Sequence, residues 1–254
     1  MHKISIKNES EIGIMAEGGK KLAEIRAKLA EAVKPGVTTG EIESLANKLI
    51  KEAGGEAAFK KVPGYHWAVC ASVNDEVVHG IPGKYRIKDG DVVGIDVGLI
   101  YKGWYTDAAV TVGVGKQKEN ARFLETGKKA LKAAVDQARV GKRVTDISKA
   151  MEKVICEAGY SPVRALTGHG VGKELHEEPA IPCFTLGEEK NSPKIEAGMT
   201  LAIEVMYNQG ESEVKYKNSD GWTIATADGK ISGLFEETVA VTAEGPRILT
   251  KQAN

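Results

Sequence analysis

Only three of the 254 residues are cysteine, and Cys70, Cys156 and Cys183 stand far apart with no Cys-x-x-Cys pair. An odd, scattered set argues against a disulfide framework and a thiolate zinc site, and for buried, reduced thiols. Long apolar runs are missing: no segment approaches the roughly 20 residues of a membrane span. Residues 1–9 hold no apolar stretch of the signal-peptide kind, so no membrane partner and a cytoplasmic location are expected. Excess charge is absent too. Lys plus Arg and Asp plus Glu number 35 each, so no whole-molecule field draws the chain to nucleic acid, which is not expected as a specific partner; a local basic patch stays open. There is no Gly-x-Ser-x-Gly elbow, no cysteine beside a histidine and no phosphate loop, which leaves covalent catalysis without support. Lys20-Lys21 and Lys128-Lys129 read as solvated helix faces, Met15 and Met151 as core filler.

What is present is an ordinary globular composition, 42% apolar and 28% charged, with length for one large core or two modest domains. Ile14, Leu22, Ile25, Leu29 and Val33 recur at helical spacing over 10–33, and Lys34-Pro35-Gly36 stops that helix. A second helix is expected over 39–53, short strands over 67–111, helices again over about 119–139 and 145–158, then strands and loops to the end. The order suggests duplication. At an offset of 105, residues 36–54 and 141–159 share seven identities in nineteen positions, from Gly36/Gly141 and Ile42/Ile147 to Ala53/Ala158 and Gly54/Gly159. Two similar amphipathic helices with similar caps are the plainer explanation. The other is two related halves, about 10–112 and 119–250, forming one domain over 1–254 with a site between them.

Four acids stand inside apolar, strand-like runs: Asp96, Asp107, Glu204 and Glu236. If the chain folds back at Tyr101-Lys102-Gly103 with the turn centred between Tyr101 and Lys102, Asp96 and Asp107 face each other, their Cβ atoms about 5 Å apart. Acids are depleted in strands and repel one another in apolar surroundings, so a cation is the economical compensation. Two polar-face aspartates at a sheet edge remain the alternative for that pair. Imidazoles are at hand in His66, His79, His169 and His176, all in Gly- or Pro-rich loops or strand ends. Pro179 stands where His-Glu-x-x-His would need its second histidine, and Gly168-x-Gly170-x-Gly172 lacks the dinucleotide spacing. Oxygen ligands joined by imidazole suit Mn²⁺, Fe²⁺, Co²⁺ or Zn²⁺.

Taken together, His79-Gly80-Ile81-Pro82, the Asp96 and Asp107 strands, Gly168-His169-Gly170-Val171-Gly172, His176-Glu177-Glu178-Pro179, Ile203-Glu204 and Phe235-Glu236-x-Thr238 resemble type I methionine aminopeptidase over residues 10–250. The resemblance implies an α/β pita-bread fold: two pseudo-symmetric halves with a curved, largely antiparallel sheet covered by helices. It implies two divalent metal ions, with Asp96 chelating one, Asp107 and Glu236 bridging both, and His169 and Glu204 completing the other. Glu204 would shuttle the proton, while His79 and His176 would be non-ligand histidines along the substrate path. Tyr65, His66, Cys70 and Trp222 would shape the methionine pocket. The activity implied is hydrolytic removal of the initiator methionine from nascent polypeptides with a small second residue, by a monomer that touches the ribosome transiently. On that rule the bulky His2 would leave Met1 in place on this chain.

The sequence departs from the family in two places. Only Trp67-Ala68-Val69 separate His66 from Cys70, where relatives commonly carry more residues, and Glu237 stands where many have histidine. The zinc-binding N-terminal extension of some eukaryotic forms and the type II insertion are not seen. Xaa-Pro peptidases of the same fold usually add an N-terminal domain for which there is no room, and inactive binding relatives usually lose ligands that are all present here.

Overall fold

Two helices open the chain, each started by a reciprocal cap. Asn8 accepts the Glu11 N–H while Glu11 reaches back to the Asn8 N–H, and Thr38 and Glu41 repeat the exchange. The structure, a computed structural model, describes residues 4–115 and 120–251; Met1, His2 and Glu119, named above, lie outside them. Helices α1 (Glu9–Ala32) and α2 (Thr39–Glu52) are followed by strands β1 (Glu56–Ala57), β2 (Val69–Val73), β3 (Glu76–Val78), β4 (Val92–Tyr101) and β5 (Trp104–Gly113). The second series runs α3 (Ala121–Val135), α4 (Val144–Glu157), β6 (Ser161–Pro162), β7 (Thr167–Gly170), β8 (Glu177–Pro182) and β9 (Thr200–Asn208). It closes with β10 (Val214–Tyr216), β11 (Ile224–Thr226), β12 (Ser232–Thr242) and β13 (Gly245–Ile248). Helix α3 ends short of the expected residue 139 because the backbone tightens into three-residue turns, Gln137 N–H to Ala134 and Ala138 N–H to Val135.

The expected α/β architecture is present, with every strand pair antiparallel. One sheet has β4 between β1 and β2, with β5 joined to β4; a second runs β13-β12-β9-β7-β8, with β6 on β9; a small third runs β10-β11-β3. Alternation along the strands decides what each face carries. Val93, Ile95, Val97 and Leu99 of β4 pack with Leu22, Ile25, Ile42 and Leu49 of α1 and α2, which turns Asp96 to the opposite face. Leu201, Ile203 and Val205 of β9 likewise pack with Ala130, Ile147, Met151 and Ile155 of α3 and α4, turning Glu204 away from the helices. The acids thus occupy the faces that the helices leave free. Met15 and Met151 are fully buried, and Lys20, Lys128 and Lys129 are exposed as expected.

The β4–β5 hairpin corrects the expected register. Tyr101 pairs with Trp104, so the turn is Lys102-Gly103, both with positive φ (49° and 74°), as a tight two-residue hairpin turn demands. Asp96 therefore pairs with Ala109, and Asp107 with Gly98. A shift of two residues preserves the face, so the two carboxylates are diagonal neighbours rather than opposite, a spacing of roughly 7–8 Å along the backbone. A second correction concerns Cys156, which is exposed, whereas Cys70 and Cys183 are buried; all three are free thiols.

Helices α2 and α4 have 14 residues each and keep the offset of 105 at both ends. Each is preceded by an isolated bridge, Thr38 to Arg86 and Arg143 to Lys194. Threonine hydroxyls join β5 to β12: Thr238 Oγ1 accepts the Asp107 N–H (2.9 Å) and donates to the Asp107 carbonyl (2.8 Å). Thr111 Oγ1 treats Leu234 the same way, at 2.8 and 2.7 Å. Among the described residues no helix is long and apolar enough to cross a membrane.

Candidate active site

The acid-bearing faces of the two sheets meet at a cavity of about 120 Å³. It is walled by Asp96, Asp107, Glu204, Glu236, His79, His169, His176, Tyr65, Cys70 and Trp222, and by four residues that sequence reasoning missed, Phe59, Val62, Val78 and Leu175. Of the missed residues Leu175 had a signal, since it immediately precedes His176 in the quoted motif; the other three are ordinary apolar residues whose role arises from packing alone.

Strand register brings the acids together. Glu236 of β12 pairs directly with Glu204 of β9, and His169 of β7 pairs with Ala202 of the same β9. The glycines beside His169 permit this. A Cβ on Gly168 would stand 2.6 Å from the Ala202 carbonyl oxygen, and one on Gly170 would lie 2.2 Å from that of Glu178. His169 can therefore sit tightly between β8 and β9, with Nε2 3.8 Å from Glu204 Oε1. Its Nδ1 lies 2.8 Å from the Gly170 carbonyl, an acceptor, so Nδ1 carries the proton and Nε2 presents its lone pair to the cavity. Ligand atoms of Asp107, His169 and Glu236 all fall within 4.8 Å of one another.

Electrostatics single this cluster out. Burial, with the Asp107 and Glu204 charges, holds Asp96 well above the usual carboxylate range, and burial pushes Asp107 up to about 7. Glu204 and Glu236 are raised by burial first and by their acidic neighbours second. Burial and the adjacent His176 push His169 down to about 3, so it is a neutral donor at physiological pH; burial also lowers His79 and His176. Among the described residues Asp96 Oδ1 and Glu236 Oε1 are buried with no hydrogen-bond partner, a costly state that cations would relieve. Four carboxylates, those of Asp107 and Glu236 buried and those of Asp96 and Glu204 largely so, form with a neutral imidazole a hard O/N donor set that fits divalent metal ions.

His176 packs edge-on to His169 with centroids 4.5 Å apart, and His79, at φ 56° just beyond β3, stands edge-on to Trp222 at 6.2 Å. Trp222 is held by an Asx turn in which Asp220 accepts the N–H groups of Trp222 and Thr223. Tyr65 meets Trp222 at 5.1 Å and Phe59 at 6.3 Å, giving the cavity an aromatic wall. Burial holds the Cys70 thiol well above its ordinary value, as suits a wall rather than a nucleophile. His66 is not brought to the site: it is exposed, outside the cavity wall, beside Trp67. Glu237 points away from the acids, paired with Arg26 at 2.8 Å and with the Thr250 hydroxyl. Arg26 also donates to the Glu236 carbonyl at 2.8 Å.

Comparison with known proteins agrees with this chemistry. The sequence pattern of metallopeptidase family M24 matches residues 13–243. A methionine aminopeptidase of Clostridium perfringens is 43% identical, over 97% of this chain and 98% of that protein. The crystal structure of methionine aminopeptidase from Thermotoga maritima superposes with a TM-score of 0.94 at 39% identity, covering 98% of this chain and all of that one. The prolidase of Pyrococcus furiosus shares the fold less closely, with a TM-score of 0.78 at 25% identity, and this chain covers 66% of its length. With a buried carboxylate and imidazole cluster between its sheets and the family pattern running through nearly all its length, this chain belongs to metallopeptidase family M24.

Proposed function

We propose that this chain is a metal-dependent aminopeptidase that removes the N-terminal methionine from polypeptides whose second residue is small. The observation that carries the reading is the cluster of Asp96, Asp107, Glu204, Glu236 and His169, largely buried, acid-rich and, among the described residues, partly without hydrogen-bond partners, in an aromatic-walled cavity. In this reading Asp96, Asp107, Glu236, His169 and Glu204 would together hold the divalent ions, with Asp107, His169 and Glu236 offering ligand atoms within 4.8 Å of one another. Such ions, when bound, polarise a carbonyl and bring the pKa of a coordinated water to about 7. Glu204 takes the proton of the attacking water and returns it to the leaving amine. His176 and His79, neutral and directed at the cavity, donate hydrogen bonds to the carbonyl oxygen and the scissile amide as charge develops. The wall of Phe59, Tyr65, Cys70, Leu175 and Trp222 receives the unbranched apolar side chain and excludes water from it.

The same reading carries finer proposals. The ions are drawn from Co²⁺, Mn²⁺, Fe²⁺ and Zn²⁺. The enzyme is a cytoplasmic monomer acting in protein maturation on nascent chains, with transient contact to the ribosome. Its single domain is built from two related halves, 10–112 and 119–250; the common offset of α2 and α4 and the reciprocal threonine links between β5 and β12 support that view. The test is hydrolysis of Met-Ala-Ser and Ala-Pro-Ala by chelator-stripped protein with each metal added back. Metal-dependent release of methionine alone is expected. Cleavage of only the proline peptide would transfer the protein to the Xaa-Pro class, and no cleavage of either would make it a binding protein.

A further inference from the structure

The shortened segment between Tyr65 and Cys70 is tied down from outside the cavity by a residue that no motif marks. Glu43, on α2, turns its carboxylate toward this segment and accepts the Ala68 N–H at 3.0 and 2.9 Å and the Val69 N–H at 3.2 Å. Asn47, one turn later, donates to Glu43 Oε1 at 2.6 Å and accepts from Lys60 at 2.6 Å, and Lys60 itself lies 3.8 Å from Glu43. Glu43 is 14% exposed, so these charge-assisted bonds are formed largely out of water, where they are strong. The held backbone leads straight to the cavity. The Tyr65 hydroxyl donates to the Val69 carbonyl at 3.1 Å and stands 3.2 Å from Cys70 Sγ, while Cys70 pairs across the strand with Asp96. Tyr65 is in turn the aromatic against which Trp222, Phe59 and Trp67 pack.

We infer that Glu43 is a positioning residue for side-chain selection: by holding the N–H groups of Ala68 and Val69 it sets where Tyr65 and Cys70 wall the cavity. A carboxylate fits this place because both of its oxygens accept: Oε1 from Asn47 and Ala68, and Oε2 from Ala68 and Val69, whereas an amide offers a single acceptor oxygen. Released from Glu43, the segment can move outward with the Tyr65 ring, and the cavity loses its fit to an unbranched side chain. A shape fit of this kind discriminates among apolar side chains by roughly 10- to 200-fold, so its loss is measurable.

This inference rests on the aminopeptidase reading, and the experiment separates the two. Wild-type protein with Mn²⁺ is assayed on Met-Ala-Ser and Leu-Ala-Ser; absence of methionine release there sinks the functional reading, before any variant is considered. With the wild type active, Glu43→Gln is expected to lower the Met-over-Leu ratio of kcat/KM by roughly tenfold, through KM for the methionine peptide, with kcat and the Mn²⁺ stoichiometry retained. A ratio within about twofold of wild type, or a fall in kcat alone, overturns the assignment. Tyr65→Phe and the double variant supply a second measurement: an effect of Glu43→Gln that shrinks when the Tyr65 hydroxyl is gone supports transmission through Val69, and full additivity refutes it. Glu43→Asp, which keeps the charge and both acceptor oxygens, should recover more of the selectivity than Glu43→Gln; equal loss in the two variants counts against the carboxylate's role.

Discussion

Glu204 and Glu236 face each other directly across β9 and β12, two acids in register at the centre of a sheet. Carboxylates so placed are among the least favourable cross-strand pairs, and burial aggravates the repulsion. With Asp96 and Asp107 beside them, the fold carries a concentration of negative charge that divalent cations balance and that stability must reflect when they are removed.

Metal removal should therefore leave a pH signature. A carboxyl whose folded pKa lies above its unfolded value binds its proton more tightly in the native state, so its contribution to stability is lost as pH rises through the folded value. For Asp107 that interval runs from the ordinary 3.8 to about 7, and the other three acids are raised as well. The lowered histidines act oppositely, but only below the ordinary imidazole value of 6.5. Chelator-treated protein should accordingly melt lower at pH 8 than at pH 6.5, and Mn²⁺ should raise the melting temperature more at pH 8. A flat or rising metal-free profile across this window would count against the buried acid cluster.

Thr238 holds the backbone of Asp107 at both its N–H and its carbonyl. Thr238→Val keeps the shape and strands those two buried groups, which should cost about 1–3 kcal/mol. At about 2–4 °C per kcal/mol for a chain of this size, the loss is visible by calorimetry. Metal affinity should weaken with it, since Asp107 is released. Thr238→Ser should stay near wild type in both respects.

His176 lies against His169 without belonging to the tight ligand cluster. His176→Ala should lower kcat by about 10²- to 10³-fold, the usual cost of a lost oxyanion donor, while bound metal measured by elemental analysis stays the same. Loss of metal in this variant would reassign His176 as a ligand.

His66 stands on the surface, so His66→Ala should leave kcat/KM for Met-Ala-Ser within about twofold, the range of an ordinary surface substitution. A larger loss would return it to the substrate path.

Much of this was legible locally. The helix stop at Lys34-Pro35-Gly36, the apolar runs around Asp96, Glu204 and Glu236, and the glycines flanking His169 are all written within a few residues of one another, where backbone preference acts directly. The hairpin register was misplaced by two residues because the choice between Tyr101-Lys102 and Lys102-Gly103 depends on positive φ at both turn positions, and composition offered only one glycine to locate them.

The sequence by itself determined the helices and the strands, which rest on short-range periodicity, and it offered candidate donors and, through motifs spread along the chain, the resemblance to the family. Tertiary structure alone decided that Glu204 meets Glu236, that Thr238 clasps Asp107 from the other sheet, that Phe59 and Leu175 wall the cavity while His66 does not, and that Glu43 reaches the Ala68–Val69 backbone. Those relationships join residues far apart in the chain, and close packing selects them through side-chain volume and strand register, quantities that no local window of sequence contains.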